Sequence, residues 1–488
     1  MTESRVQAWS ERYEMVVGLE VHVHLKTATK IFCRCSTAFG DAPNANTCPV
    51  CLALPGALPV LNASAVELAV RAATALECTV HTMSIFARKN YFYPDLPKGY
   101  QISQFDRPLA TEGRVVIGTR ADGSPIVVRL TRLHMEEDAG KSIHDRFTGA
   151  TAVDLNRAGV PLVEIVSEPD MRSSTEARAY LQALKQILEY IDVSDVNMEK
   201  GSLRVDANIS TRLRGETALG TKTEVKNMNS FSAVERALDA EYVRQCELRE
   251  RGGRVEQQTM LWDAHANEVR PARSKEGSHD YRYFPDPDLP PLVLPLDLID
   301  RSRRELPELP EARRTRYQRD YPDLTDYDVD VLTAGPALGA YFEQVARQHG
   351  DAKAAANWIL GEVLAVLKTG DQSIEHFTVL PADLAELLDM VRDGVVSRNA
   401  AKQIFGVMVK TGDSPLPIAE RDGLLKVSDD TALTTWVDEV LAEHPAETTR
   451  FLAGERKLQG VLVGYVMKKS KGSADPKRVN QLLSDRLK

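Results

Sequence analysis

The stretch Leu19-Glu20-Val21-His22-Val23-His24-Leu25 alternates apolar and polar residues without a break. Successive side chains of a β-strand point to opposite faces, so this pattern predicts a strand that carries Glu20, His22 and His24 on one face. The apolar residues then pack against a core on the other face. A single strand of this kind is ordinary at the solvated side of a sheet and indicates no function by itself.

Two later segments, residues 162–168 and 203–209, repeat the same two-residue period. The polar residues that share a face are Glu164 and Glu168 in the first segment, and Arg204, Asp206 and Asn208 in the second. Three strands that group carboxylates and a histidine in this way predict an open sheet. We expect its polar face to hold a metal ion and a phosphate-bearing substrate.

The order of the segments predicts an α+β protein. Short alternating segments dominate the first half, with helical apolar spacing at residues 63–76 and 174–190, which predicts a large mixed or antiparallel sheet. Prolines cluster between residues 285 and 310 and indicate an ordered, extended connector, after which the pattern is helical. We predict a catalytic cradle domain, a helical domain and a small helical tail domain at residues 1–295, 296–411 and 412–488.

Composition and charge are those of an ordinary globular protein. The chain has 488 residues, of which 43% are hydrophobic and 27% charged, and its formal net charge is -9. No apolar run approaches the length of a membrane span, and the N-terminus lacks the apolar segment of a signal peptide. We therefore expect a cytoplasmic protein with no membrane partner. The negative charge argues against non-specific binding of nucleic acid.

A basic stretch near the C-terminus departs from this overall charge. Its candidate contacts for a nucleic acid are Lys468, Lys469, Lys471, Lys477 and Arg478. Such a run is commonly a solvated, frayed chain end. Attached to a substrate-binding protein, the same residues could instead grip a phosphate backbone. Both interpretations remain open from the residues alone.

Four of the six cysteines are closely paired, as Cys33-x-Cys35 and Cys48-Pro49-Val50-Cys51. Two close pairs on short turns meet the needs of a tetrahedral thiolate site, so we predict a structural Zn²⁺ held by Cys33, Cys35, Cys48 and Cys51. Closed coordination leaves no position for a substrate, and this zinc would clamp a loop. Four unrelated buried thiols are the alternative interpretation.

The predicted carboxylate-lined face suits Mg²⁺, which prefers oxygen ligands together with waters and substrate phosphates. Basic residues near these segments could hold phosphate oxygens, and they are Arg88, Lys89, Lys98 and Arg204. For any one of them a solvated surface charge is the simpler interpretation. The combination with the clustered acids is what favours phosphoryl chemistry.

The sequence contains no recognisable machinery for hydrolysing an amide. His22 and His24 are two residues apart on a strand, whereas zinc proteases place paired histidines one helical turn apart. No serine lies in a nucleophile elbow. If this protein transfers an amine, a partner must therefore release it.

Eight blocks of sequence between residues 17 and 285 carry more specific motifs. They include Val17-Gly18-Leu19-Glu20-Val21-His22, Arg88-Lys89-Asn90-Tyr91-Phe92-Tyr93-Pro94-Asp95 and Asp280-Tyr281-Arg282-Tyr283-Phe284-Pro285. The others lie at residues 100–105, 133–141, 154–157, 163–170 and 201–208. Together they resemble the B subunit of the tRNA-dependent amidotransferases, and the helical second half with its small tail domain is similar too.

The resemblance implies a cytosolic heterotrimer in which the amidase is the A subunit and a small protein is the C subunit. In that family the B subunit uses ATP and Mg²⁺ to phosphorylate the side-chain carboxylate of Glu on tRNA(Gln) or of Asp on tRNA(Asn). Ammonia released by the amidase then displaces the phosphate. The resemblance further implies that the tail domain contacts the outer body of the mischarged tRNA.

The family's metal and catalytic residues, carried over one by one, are Glu20, His22, Glu137 and Glu164, with Asp206 close by. Strict alternation through residues 127–137 instead groups Glu136 with His134, and Glu137 with Leu133. A bulge just before Glu137 would bring its carboxylate to the metal face. We keep Glu137 as the predicted ligand and Glu136 as the alternative.

Two other classes of function compete with this interpretation. The chain could be a non-catalytic scaffold that binds tRNA in the same complex, although a scaffold has no need of clustered carboxylates. It could also be a free-standing metal-dependent enzyme that acts on a small carboxylate. That enzyme would work without tRNA or partners, and the basic C-terminal stretch would stay unexplained.

Overall fold

The computed structural model describes residues 2–120, 122–272, 280–370, 372–426, 430–470 and 473–487. The chain divides into two compact units, Met1–Glu311 and Ala312–Lys488. The first unit is built around a large mixed sheet, and the second is helical. The predicted α+β class is confirmed. None of the described helices combines the length and apolarity needed to cross a membrane.

The strands all lie in the first unit of the described chain. They are β1 (Tyr13–His24), β2 (Thr79–Val80), β3 (Met83–Ser84), β4 (Ala87–Asn90), β5 (Tyr100–Ser103), β6 (Ala110–Thr119), β7 (Pro125–Glu137), β8 (Lys141–Phe147), β9 (Ala150–Asp154), β10 (Pro161–Ser167), β11 (Leu203–Leu213), β12 (Thr223–Lys226), β13 (Thr259–Asp263), β14 (Glu268–Pro271), β15 (Phe284–Pro285) and β16 (Leu292–Val293). Among them, nine form one sheet in the order β14-β13-β12-β11-β1-β10-β7-β6-β2. Its pairings are antiparallel except between β12 and β13.

The helices are α1 (Thr2–Ser10), α2 (Ala63–Ala75), α3 (Ser174–Tyr190), α4 (Phe231–Glu250), α5 (Leu296–Arg304), α6 (Pro310–Asp320), α7 (Asp326–Leu332), α8 (Pro336–His349), α9 (Ala352–Trp358), α10 (Leu364–Gly370), α11 (Pro381–Arg392), α12 (Arg398–Thr411), α13 (Pro415–Arg421), α14 (Asp430–Glu443), α15 (Pro445–Leu452), α16 (Leu458–Lys469) and α17 (Pro476–Arg486). A π-helical turn, Ile359–Val363, lies between α9 and α10, and a 3₁₀ turn, Ile374–His376, follows α10.

Strand β1 is the central strand of the large sheet, and its apolar residues are buried in the core on one face. Val17, Leu19, Val21 and Val23 are fully buried. Helices α2, α3 and α4 contribute their apolar faces to the same core. One face of the sheet is thus covered by helices, and the alternating residues of β1 are left for the opposite, polar face.

A second, three-stranded sheet pairs β15 with β4 and β4 with β5. It brings the segment around Tyr281, late in the first unit, next to the segment around Lys89. The proline-rich stretch is extended through β15 and β16, but α5 forms in its middle, between Pro295 and Pro307. Our expectation of a wholly extended connector is wrong at this helix, since proline is tolerated just outside a helix end.

The second unit contains two separate hydrophobic clusters in its described residues. One lies between residues 317 and 424 and includes Tyr317, Phe342 and Ile404. The other lies between residues 433 and 487 and includes Leu433 and Leu462. Helix α5, which the predicted division assigns to the helical domain, belongs to the first unit, and its Ile299 is part of the hydrophobic core there. The three-domain division at 295/296 and 411/412 stays a prediction.

Candidate metal and phosphate site on the polar sheet face

Strand register brings polar side chains from β1, β7, β10 and β11 together on the uncovered face of the large sheet. His22 of β1 lies opposite Glu164 of β10 and opposite Arg204 of β11. Glu164 in turn lies opposite His134 of β7. Directly opposed residues point to the same face, so one row of polar groups crosses four strands.

The row contains a group that could hold a metal ion. One ligand atom from each of His22, Glu136 and Glu164 lies within 4.8 Å of the others. Glu136 is 1% exposed and Glu164 is 5% exposed, so their charges need a partner. His134 is close by, with its Nε2 atom 3.2 Å from Glu136 and 3.7 Å from Glu164. Two carboxylates and one imidazole fit a cation that accepts oxygen ligands.

Glu136 is fixed and ionised by its surroundings. Its carboxylate accepts hydrogen bonds from Gln101 Nε2 at 3.0 Å and from Ser103 Oγ at 2.5 Å. Burial opposes ionisation, but the charge of Lys89 and the contact with His134 outweigh it and hold the pKa of Glu136 below its usual range. The Glu136 carboxylate is therefore charged and held in one orientation by the protein, as a metal ligand must be.

Glu137, the predicted ligand, lies elsewhere. Pairing between β7 and β10 runs from Arg132 to Glu137 without a register shift, so the bulge invoked to turn Glu137 toward His22 is absent. The Glu137 carboxylate instead accepts bonds from Lys98 Nζ and, at 2.8 Å, from the Ile102 amide. The structure brings Glu136 to His22 and Glu164, and it does not bring Glu137 there.

Glu20 and Asp206 border this group. Glu20 accepts a hydrogen bond from Asn208 Nδ2 at 2.9 Å, and burial together with the nearby charge of Glu164 raises its pKa. Asp206 is paired with Lys226 Nζ at 2.6 Å. Lys226 is not among the residues predicted from the sequence, although the alternation of uncharged and charged residues in β12 was a signal for it.

Three of the four candidate phosphate-binding residues already bond to carboxylates. Arg88 binds Asp286 and Asp288, each at 2.9 Å, and Lys98 binds Glu137. Arg204 makes two bonds to Asp138, at 2.8 and 3.0 Å. These ion pairs hold loops of the first unit in place.

Lys89 is different. Within the described part of the chain no carboxylate lies at ion-pair distance from its Nζ atom, which is 5.1 Å from the centre of the Tyr281 ring. Burial opposes its charge, yet Glu136, Tyr283 and Glu164 raise the pKa of Lys89 above its usual value. Lys89 lies opposite Gln101 in the small sheet, and Gln101 binds Glu136. A charged lysine thus lies near His22, Glu136 and Glu164, which we call the acidic group, and it has no carboxylate partner among the described residues.

Comparison with known proteins identifies the family of this chain. Residues 15–300 match the family model described as the GatB/GatE catalytic domain, and residues 340–487 match the one described as the GatB domain. The B subunit of the aspartyl/glutamyl-tRNA(Asn/Gln) amidotransferase of Pelodictyon phaeoclathratiforme is 52% identical over 98% of this chain and 99% of its own length. The chain belongs to this family of amidotransferase B subunits.

Proteins of the same name from Geobacter sulfurreducens and Myxococcus xanthus are 50% and 49% identical to this chain. They cover 98% and 97% of it, with 99% and 98% of their own lengths aligned. The resemblance seen in the sequence blocks is confirmed. The chain is a subunit of a tRNA-dependent amidotransferase, and the metal group described above lies within the part that matches the catalytic domain.

In this amidotransferase subunit the four paired cysteines also come together. Their Sγ atoms lie within 4.8 Å of one another, with separations of 3.8 Å between Cys35 and Cys51 and 3.7 Å between Cys48 and Cys51. Four thiolates at the usual Zn–S distance form a tetrahedron with edges of about 3.8 Å. A hydrogen bond with Cys33 lowers the pKa of the Cys51 thiol. Burial opposes this effect, but the hydrogen bond and further interactions with Cys48 and Lys30 outweigh it and bring the pKa to about 4. The cluster could hold a metal, and its spacing fits zinc.

We expect the purified chain to carry one zinc ion, measured by atomic absorption. Cys51→Ser should lose that ion and lower the melting temperature by several degrees, because metal binding stabilises only the folded state. Cys246→Ala is the matched control, since Cys246 is buried in α4 and outside the cluster. It should keep the zinc. Full zinc content in Cys51→Ser would contradict a four-thiolate site.

Two of the basic residues near the C-terminus of this family member are engaged in ion pairs. Lys469 is paired with Glu439 and Glu443 of α14, and Arg478 is paired with Asp430. Lys468 and Lys477 are exposed, and Lys471 lies outside the described residues. The acidic partners belong to a different helix, so sequence proximity could not reveal them.

Proposed function

We propose that this chain uses ATP to activate the side-chain carboxylate of Glu-tRNA(Gln), of Asp-tRNA(Asn), or of both, and then amidates it. The names of the relatives support these substrates. The observation that carries the proposal is the group His22, Glu136 and Glu164, with the charged Lys89 near it, opposite the Gln101 that binds Glu136. Clustered acids beside an available lysine suit phosphoryl transfer better than tRNA binding alone.

The proposed reaction has two steps. A carboxylate oxygen of the aminoacyl group attacks the γ-phosphorus of ATP, and ADP leaves. The nitrogen of ammonia then attacks the acyl carbon, inorganic phosphate leaves, and the amide remains. A free carboxylate resists attack by ammonia because its oxygen is a poor leaving group, and phosphorylation removes that obstacle.

The fit of Mg²⁺ to these residues supports the proposal. His22, Glu136 and Glu164 would hold the ion, with Glu20 and Asp206 beside them. When bound, Mg²⁺ supplies neutralisation of the charge on phosphate oxygens. Lys89 contributes a positive charge of the protein itself, and Gln101 and Ser103 keep Glu136 in place.

We further propose that the chain works in a cytoplasmic heterotrimer with an amidase, the A subunit, and a small C subunit. The amidase would supply the ammonia, which agrees with the lack of hydrolase motifs in this sequence. Zinc would have a structural role in the loop between β1 and α2. Exposed Lys468 and Lys477 are the tail residues best placed to contact tRNA.

ADP formation by the chain reconstituted with its amidase partner tests the proposal. We expect ADP in the presence of Mg²⁺ and Glu-tRNA(Gln) or Asp-tRNA(Asn), and only background with the uncharged tRNA, because the reacting carboxylate is then missing. Equal ADP formation with charged and uncharged tRNA would contradict carboxylate activation. Binding of the charged tRNA without ADP formation would favour the scaffold function.

A further inference from the structure

A row of aromatic rings extends from Lys89 to the surface of the first unit. The Lys89 Nζ atom lies 5.1 Å from the centre of the Tyr281 ring, and Tyr281 and Tyr283 are 6.0 Å apart. Tyr283 is stacked on Phe105 at 4.1 Å with an angle of 5° between the rings. One face of Phe105 is therefore covered, yet 41% of the residue is exposed. The stack therefore ends at the partly exposed ring of Phe105.

Phe105 is held by its rigid neighbour Gln104. The Gln104 side chain is buried and makes three hydrogen bonds. It accepts from the amides of Leu109 and Met135 at 3.1 and 3.0 Å, and it donates to Ser84 Oγ at 2.9 Å. These bonds order the backbone beside the exposed Phe105 before any ligand binds, and such order lowers the entropy cost of binding.

Tyr283 is fixed in a similar way. Asn90 Nδ2 donates to the carbonyl oxygens of Tyr281 and Arg282, at 3.1 and 2.9 Å. Arg282 has a φ of 45°, in the left-handed region that costs energy for a residue with a side chain. Phe284, which follows Tyr283, pairs with Arg88 in the small sheet. The backbone thus holds a strained turn that presents Tyr283 to Phe105.

Hydrogen bonds connect the row of aromatic rings to the acidic group. Tyr91, whose ring is 6.0 Å from that of Tyr281, donates its hydroxyl to Gln101 Oε1 at 3.1 Å. Gln101 donates to Glu136 Oε2 at 3.0 Å. The aromatic row and the metal group are therefore connected through Gln101, and Lys89 lies next to both Tyr281 and Gln101.

We propose that Phe105 and Tyr283 form a stacking platform for the adenine ring of an adenosine ligand that reacts at the acidic group. The proposal rests on the function proposed above, which brings two adenosines to this site: ATP and the terminal adenosine of the aminoacyl-tRNA. Both offer the same flat ring to an exposed aromatic face. In either case the ring of Tyr281 links Tyr283 of the platform to Lys89, which lies opposite the Gln101 that binds Glu136 of the acidic group.

Phe105→Leu tests the platform, since leucine keeps an apolar side chain but has no aromatic face. In the complex with the amidase partner, we expect the KM of one substrate, ATP or Glu-tRNA(Gln), to rise about ten-fold with a smaller change in kcat. The substrate affected identifies the source of the adenosine. Phe105→Trp should restore the KM. Tyr327→Ala, at an exposed ring of the second unit, is the matched control and should change neither value.

An unchanged KM for both substrates in Phe105→Leu would overturn the platform. So would an equal loss of kcat in Phe105→Leu and Phe105→Trp, which is the mark of a structural role. Equilibrium dialysis of ATP and of Glu-tRNA(Gln) against the same variants needs no turnover. If the wild-type complex makes no ADP, dialysis still decides the platform: about ten-fold weaker binding of one ligand supports it, and equal binding by wild type and Phe105→Leu overturns it.

Discussion

Glu164→Gln is expected to lower tRNA-dependent ADP formation about 100-fold or more, the cost of removing one well-placed electrostatic group from an active site. Glu164 lies 3.8 Å from His22 and 3.7 Å from His134, at the centre of the polar row. Glutamine keeps the shape of the side chain but loses the charge that a cation needs. Affinity for the mischarged tRNA should be unchanged, because Glu164 is buried and cannot touch the body of the tRNA.

The measurement pairs ADP formation with tRNA binding in the same protein sample. Glu168→Gln is the matched control, since Glu168 follows β10 and accepts a hydrogen bond from Thr131 at 2.7 Å. It should keep normal ADP formation. Equal losses in Glu164→Gln and Glu168→Gln would place the chemistry away from the polar row. Full ADP formation in Glu164→Gln would make the acidic group structural and leave the scaffold function.

Period-two alternation predicted the polar faces of β1, β10 and β11, although β10 ends at Ser167 and does not include Glu168. His22, Glu164 and Asp206 lie on the polar face predicted for each of their strands, while Val21 and Val163 are fully buried. The helix predicted at residues 174–190 is α3, whose first turn is capped by Ser173. These features depend on local periodicity and capping, which the sequence contains in full.

The local pattern and the family resemblance give different predictions for the metal ligand, Glu136 and Glu137 respectively. Alternation through residues 127–137 groups Glu136 with His134, and the pairing of β7 with β10, which has no shift from Arg132 to Glu137, agrees with it. The resemblance alone pointed to Glu137. A bulge can be recognised only from the pairing of two strands, and β10 lies too far along the chain for one segment to reveal that pairing.

The ion pairs of the candidate phosphate-binding residues could not be predicted for a similar reason. Arg88 and Asp286 are 198 positions apart, and Arg204 and Asp138 are 66 apart. Each pair exists because strands from distant parts of the chain become neighbours. A basic residue near a predicted strand therefore says little about its own partner, and only the fold separates Lys89 from Arg88 and Lys98.

Glu136→Gln and Glu137→Gln, two adjacent substitutions, are expected to have different effects. Glu136→Gln should reduce ADP formation about 100-fold, or raise the Mg²⁺ concentration needed for half-maximal activity by about ten-fold or more, because it removes a charged ligand atom. Glu137→Gln should lower the melting temperature instead, since Lys98 loses the charge of its buried partner. Folded Glu137→Gln protein should still form ADP.

The pair of variants tests strand geometry through chemistry. Neighbouring residues of a strand point to opposite faces, so one residue of register exchanges the ligand for the structural carboxylate. Measuring ADP formation, its Mg²⁺ dependence and the melting temperature of both proteins distinguishes the two arrangements. If Glu137→Gln shows the Mg²⁺ defect and Glu136→Gln does not, then β7 carries a bulge just before Glu137 in the working enzyme, and Lys98 must release Glu137 when the metal binds. If the defects fall as the register indicates, the Lys98–Glu137 pair is a structural clamp beside the site.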